Sequence, residues 1–124
     1  MKIYIAHSSS FDFQNDLYTP LRQSPIFGAH TFIFPHDGVQ INSKEVLSEC
    51  DFVIADVTRA STGMGIELGW ANDLGKTIVC IHQEDSIPSS SLRFVSQKFF
   101  SYGHPDEISE LVGKIVGFGT RPLF

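Results

Sequence analysis

Two short apolar runs that do not alternate constrain this chain more than any other feature. Phe52-Val53-Ile54-Ala55-Asp56-Val57 and Thr77-Ile78-Val79-Cys80-Ile81-His82 carry apolar side chains at successive positions. Successive side chains of a strand point to opposite faces, so both faces of these strands must be covered. A half-exposed antiparallel strand would read apolar, polar, apolar instead. Strands of this kind belong to a parallel sheet held between helices. The chain therefore predicts a right-handed, doubly wound α/β domain with helices on both faces.

The rest of the sequence supplies the matching parts. Residues 3–7 (Ile-Tyr-Ile-Ala-His) predict a first strand, 31–35 (Thr-Phe-Ile-Phe-Pro) a second that stops at proline, and 98–102 a weaker last one. Residues 12–23 predict a helix broken at Pro20, and 43–50 a helix with Ser43 as its cap and Val46 and Leu47 on its apolar side. Residues 58–65, small and polar, predict a loop, followed by a helix to about Leu74 that Gly75 closes. Pro105 opens a final helix over 106–116, with Ile108, Leu111, Val112 and Ile115 at helical spacing. Residues 86–91 read as a loop and the tail after Gly117 as loose. With 124 residues, 42% of them hydrophobic, and no repeat or internal boundary, residues 1–124 predict a single domain.

Charge and cysteine usage exclude several functions. Nine Lys and Arg stand against fourteen Asp and Glu, a formal net charge of −5. The basic residues are scattered, which argues against a polymeric nucleic acid partner but leaves room for one small phosphorylated ligand held by amides and hydroxyls. Cys50 and Cys80 lie in apolar surroundings and predict buried free thiols rather than a disulfide or a zinc site. The apolar start is too short for a signal peptide, and no stretch reaches bilayer length, so a cytoplasmic setting without membrane contact is expected.

Ligands of such sheets bind beyond the carboxyl ends of the strands. Those ends carry His7-Ser8-Ser9-Ser10, His36-Asp37-Gly38, residues 56–65, and His82-Gln83-Glu84. No two of His7, His36 and His82 share a spacing that ties them to one element, so no metal is expected. They read as hydrogen-bonded rim residues, any of which can touch a ligand. The segment from Asp56 to Ala71 runs from a strand end through glycines into a helix. Gly63 and Gly65 would let the backbone turn sharply and approach a ligand, with free amides at the helix start to receive an anion. No Lys-Ser/Thr pair follows, so this is not a Walker loop, and the spacing is not Gly-x-Gly-x-x-Gly. Glu67 is expected in the first turn of the helix. There it could simply complement the helix dipole; the glycines around it favour close approach of a ligand.

The string Asp51-Phe52-Val53-Ile54-Ala55-Asp56-Val57-Thr58, followed by Ser61-x-Gly63-x-Gly65-x-Glu67-Leu68-Gly69-x-Ala71 and Gly75-Lys76, closely resembles the nucleoside 2-deoxyribosyltransferase superfamily. Within it, the chain looks most like the 2'-deoxynucleoside 5'-phosphate N-glycosidases. The resemblance implies a five-stranded parallel sheet in flavodoxin-like order, a homodimer whose active sites borrow residues across the interface, and no cofactor. It implies a glutamate nucleophile at Glu67 that attacks the anomeric carbon and releases the base, after which water or a second base takes the sugar. Ser61 and Gly63, and Ser91 from the neighbouring subunit, would hold a 5'-phosphate; Gly65 would let the ligand come close, and Tyr4 and His7 would line the sugar or base pocket. Two departures stand out. Ser43 occupies the position of a family aspartate, and the loop after the first strand lacks the family's glycines and arginine. Three readings follow: an N-glycosidase of nucleotides or nucleosides, a non-catalytic nucleotide-binding domain, and a deoxyribosyltransferase.

Overall fold

The computed structural model describes residues 1–38, 40–117 and 121–123. Its centre is one all-parallel sheet of five strands in the order β2-β1-β3-β4-β5, formed by β1 (Lys2–His7), β2 (Thr31–Ile33), β3 (Phe52–Asp56), β4 (Thr77–Gln83) and β5 (Lys98–Tyr102). This is the expected α/β class and the flavodoxin-like order. Alternate residues of the continuous apolar runs feed two separate cores. Ile3, Ile5, Phe52, Ile54, Val79 and Ile81 point to one face, against Leu17, Tyr18, Leu21, Ile108, Val112 and Ile115. Tyr4, Ala6, Val53, Ala55, Ile78 and Cys80 point to the other, against Leu47, Met64, Leu68 and Ala71. One face is thus covered by α1 (Thr19–Arg22) and α4 (Ile108–Val116), the other by α2 (Ser43–Glu49) and α3 (Thr62–Asp73).

Local departures from expectation have physical reasons. The helix expected to break at Pro20 instead opens as a π-helical turn, Gln14–Tyr18, and continues through α1 with Pro20 in its first turn. Proline is tolerated there because first-turn amides have no intrahelical acceptor. The Gln14 carbonyl accepts both the Thr19 N–H and the Thr19 hydroxyl, the latter at 2.8 Å. Strand β2 ends at Ile33, two residues short of the proline. Asn42, not Ser43, caps α2: its side chain accepts from the Glu45 N–H at 3.3 Å, leaving the Ser43 hydroxyl free to face elsewhere. The final helix is preceded by a 3₁₀ turn, Pro105–Glu107, closed by a reciprocal cap between His104 and Glu107. Ser90–Phe94 is also a 3₁₀ turn, so Ser91 is not in open loop. The expected loose tail falls largely on residues outside the described ones. Among the described residues no helix is long and apolar enough to cross a membrane.

The largest correction concerns α3. It begins at Thr62, capped by Ser61, whose Oγ accepts from the Met64 N–H at 3.0 Å. Gly63 and Gly65 therefore lie inside a regular helix and make no sharp turn. Glu67 is the sixth helical residue, in the second turn, where the dipole of the helix start is weak. Burial of Met64, Leu68 and Ala71 along one stripe outweighs the roughly 1 kcal/mol that each interior glycine costs. Gly75, at φ +73°, closes the helix as expected.

Candidate functional site

Three elements meet at Glu67. Strand β1 turns Tyr4 toward the α2/α3 face, where the side chain is fully buried. The Tyr4 hydroxyl reaches the Glu67 carboxylate on α3 in a short hydrogen bond and lies 3.2 Å from the Ser43 hydroxyl on α2. A phenol has one proton. It donates to the carboxylate, the stronger acceptor, and the Ser43 hydroxyl donates back to the phenol oxygen. Burial, reinforced by the hydrogen bond to Glu67, pushes the Tyr4 phenol well above the usual tyrosine range. The phenol therefore stays protonated and holds one oxygen of the half-buried carboxylate.

The surroundings of Glu67 are polar on one side and more apolar on the other. With His36 and Ser43 it lines two adjoining hollows of about 320 and 280 Å³. Pro35, Gly38, Gln40 and Ile41 wall the first, and Gly63, Ile66 and Trp70 the second. The Tyr18 hydroxyl anchors the backbone of His36, accepting its N–H at 3.1 Å. The next residue, Asp37, is ion-paired with Arg22.

His7 sits beside this group but faces inward. Its Nδ1 donates to the Ser8 carbonyl at 2.7 Å, so its Nε2 accepts from the Tyr18 hydroxyl at 2.6 Å. Burial lowers its pKa below the usual histidine value, which keeps it neutral, and it pushes the Tyr18 phenol up to about 12. The chain from the His36 N–H through Tyr18 to His7 thus ties the first strand end to the loop after β2. His82 hydrogen-bonds the Gln83 carbonyl at 2.8 Å and the Ser86 hydroxyl at 3.2 Å, and faces a separate groove with Ile87, Pro88 and Arg93. Among the described residues no three His, Cys, Asp or Glu side chains form a group that could hold a metal ion.

The expected phosphate residues divide between the two flanks of α3. Gly63 lies on the flank of Glu67. Ser61, Gly65 and Ser91 line a third hollow of about 280 Å³, walled by Met64, Leu68, Leu92 and Val95. Glu67 does not border it, so one subunit does not bring Ser91 to the carboxylate. A Cβ added at Gly63, Gly65 or Gly69 would meet no heavy atom within 4 Å, and none of the three has positive φ. Neither backbone strain nor internal packing asks for glycine there; the outer surface of α3 is left bare.

Sequence reasoning missed a second buried cluster at the strand ends. Tyr102 donates to Asp56 at 2.5 Å, the Thr58 N–H donates to the same carboxylate at 3.0 Å, and the Thr58 hydroxyl accepts from the Gln83 N–H at 3.0 Å. This clasp holds the start of the β3–α3 loop against β4 and β5. Tyr102 lies 46 positions from Asp56, so only the strand register brings them together.

No family model matches the chain. A curated relative, the 5-hydroxymethyl-dUMP N-hydrolase of Rattus norvegicus, is 48% identical over 40 residues. That stretch is 32% of this chain and 24% of the relative, so the match spans about a quarter of that protein's length. Among solved structures, the Clostridium botulinum CMP N-glycosidase BcmB aligns with a TM-score of 0.63 and 22% identity, over 90% of this chain and 98% of that one. The second likeness establishes a shared fold. The first agrees in kind with the resemblance carried by residues 51–76.

Proposed function

We propose that this chain is an N-glycosidase that cleaves the base–sugar bond of a nucleoside 5'-monophosphate, with Glu67 as nucleophile. The observation that carries the proposal is the Tyr4–Glu67 hydrogen bond in a polar hollow. A carboxylate nucleophile must be aimed, and a buried phenol that holds one of its oxygens by a hydrogen bond leaves the other to attack. The names of the relative and of the structural neighbour, a nucleotide N-hydrolase and a nucleotide N-glycosidase, support the same reaction class.

In this reading the Glu67 carboxylate bonds to the anomeric carbon as the C1'–N bond breaks, and water then hydrolyses the glycosyl ester with retention. Gly63, in the first turn of α3 on the flank of Glu67, receives the 5'-phosphate at the helix start that Ser61 caps. A neighbouring subunit contributes Ser91, which within one chain lies on the far flank of α3; the working unit is accordingly a homodimer. Tyr4 orients the nucleophile, and His7 acts indirectly, by bracing Tyr18 and the loop that bears His36.

The test is a panel of nucleosides and their 5'-monophosphates incubated with the protein and assayed for free base. Release from monophosphates in preference to nucleosides is expected, with Glu67→Gln lowering the rate by about a thousandfold while ligand still binds. Ser43 at the position of the family aspartate favours a second reading, a nucleotide-binding domain without turnover. Tight nucleotide binding with no base release would establish that reading instead.

A further inference from the structure

We infer that His36 is the general acid of this site, delivering the proton to the leaving base. The inference rests on the glycosidase reading above and adds to it the residue that completes the bond cleavage.

Breaking a C1'–N bond leaves an electron pair on the base nitrogen, and the ordinary bases leave poorly unless a proton meets that pair. The side chains around Glu67 limit the source. Ser43 and Gln40 do not ionise near neutral pH, and Ile41, Ile66 and Trp70 have no acidic proton. Tyr4 is committed to Glu67 by its hydrogen bond and is held in its protonated form. Glu67 is the attacking group. Asp37 is ion-paired with Arg22 and borders neither hollow. Among the described residues lining both hollows with Glu67, His36 is the one whose side chain is of the kind that most often serves as a general acid.

Its placement suits the role. The His36 backbone is pinned by the Tyr18 hydroxyl, while the residue itself is exposed at the rim, where solvent can reload it. Around it stand, from β1, His7, whose ring centroid is 5.0 Å away; from the π-helical turn and its approach, Tyr18 and Phe13; and, adjoining in sequence, Asp37 with its Arg22 partner, while Ser43 of α2 and Glu67 of α3 line the same hollow. His7 is neutral by its hydrogen bonding, so the charge that borders the hollow is that of Glu67.

The proton count closes. Imidazolium His36 gives its proton to the base nitrogen as the C1'–N pair moves there and the Glu67 oxygen bonds to C1'. Neutral His36 then takes a proton from the water that attacks C1', the Glu67 carboxylate leaves, and the site returns to its starting state.

A leaving-group comparison tests this. For whichever base the wild type releases, the ordinary monophosphate is compared with one whose base leaves without a proton: N7-methylated for a purine, 5-fluorinated for a pyrimidine. His36→Ala should lower release of the ordinary base by a hundredfold or more. Release of the activated base should change by less than about threefold, and added imidazole should restore part of the lost rate. In wild type, kcat/KM should fall toward alkaline pH, and His36→Ala should lack that limb. Equal loss on both substrates would make His36 a structural residue, and no loss on either would remove it from the reaction; both overturn the inference. If the wild type frees neither base, the glycosidase reading itself fails, an outcome distinct from these.

Discussion

Tyr4→Phe removes one oxygen from the centre of the site and little else. The ring is fully buried in the core shared by β1, α2 and α3, and phenylalanine fills the same space. What is lost is the phenol that bridges Glu67 and Ser43. A hydrogen bond to a charged group contributes about 1.5–3 kcal/mol. Glu67 is only half-buried, so water replaces part of that, and stability should fall by about 1 kcal/mol. Catalysis feels two opposing effects. Freed of its donor the carboxylate becomes the better nucleophile, yet it loses the group that aims it. Misorientation outweighs the gain because near-attack geometry governs a displacement of this kind. A net loss of about 1.4 kcal/mol is a factor of ten. Steady-state base release by purified Tyr4→Phe should therefore show kcat down about tenfold with KM within threefold of wild type, and a normal melting profile. An unchanged or raised kcat would refute the idea that Tyr4 aims the nucleophile.

Two further predictions concern the frame of the site. Tyr102→Phe leaves the buried Asp56 carboxylate with the Thr58 N–H but without its phenol donor, so denaturant unfolding should show a loss of about 2–3 kcal/mol; a change below about 0.5 kcal/mol would mean that the clasp contributes nothing. Because Ser91 and Glu67 lie on opposite flanks of α3, mixing inactive Glu67→Ala with Ser91→Ala protein should restore base release through hybrid sites, whereas no restoration would place Ser91 outside any shared site.

The parts of this fold that were legible in the sequence are those set by burial. The continuous apolar runs of β3 and β4 specified parallel strands covered on both faces, because no other arrangement hides both sides of Val53-Ile54 or Ile78-Val79. Helix starts were less legible. Ser43 and Asn42 are nearly equal as caps, and only the extended backbone of Asn42 decides between them. The glycines at 63 and 65 read as loop by propensity, yet the Ser61 cap and the stripe Met64, Leu68, Ala71 draw them into α3. That shift moved Glu67 from the first turn to the second, so its setting owes more to Tyr4 than to the helix dipole. Motif spacing pointed to Glu67, since its glycine and alanine neighbours lie within one local segment. The Tyr4–Ser43 pairing and the hollow that His36 shares with Glu67 were not legible, because Tyr4 and Ser43 stand 39 positions apart in the chain and His36 and Glu67 stand 31 apart.

Covalent capture at Glu67 tests the central claim most directly. A 2'-fluorinated nucleoside 5'-monophosphate should slow hydrolysis of the glycosyl ester, so that mass spectrometry of the digested protein finds the sugar phosphate on the peptide containing Glu67 and none on that peptide from Glu67→Gln. The account predicts that adduct, formed with release of one base per site. Base release without any adduct, or an adduct on a different residue, would contradict it.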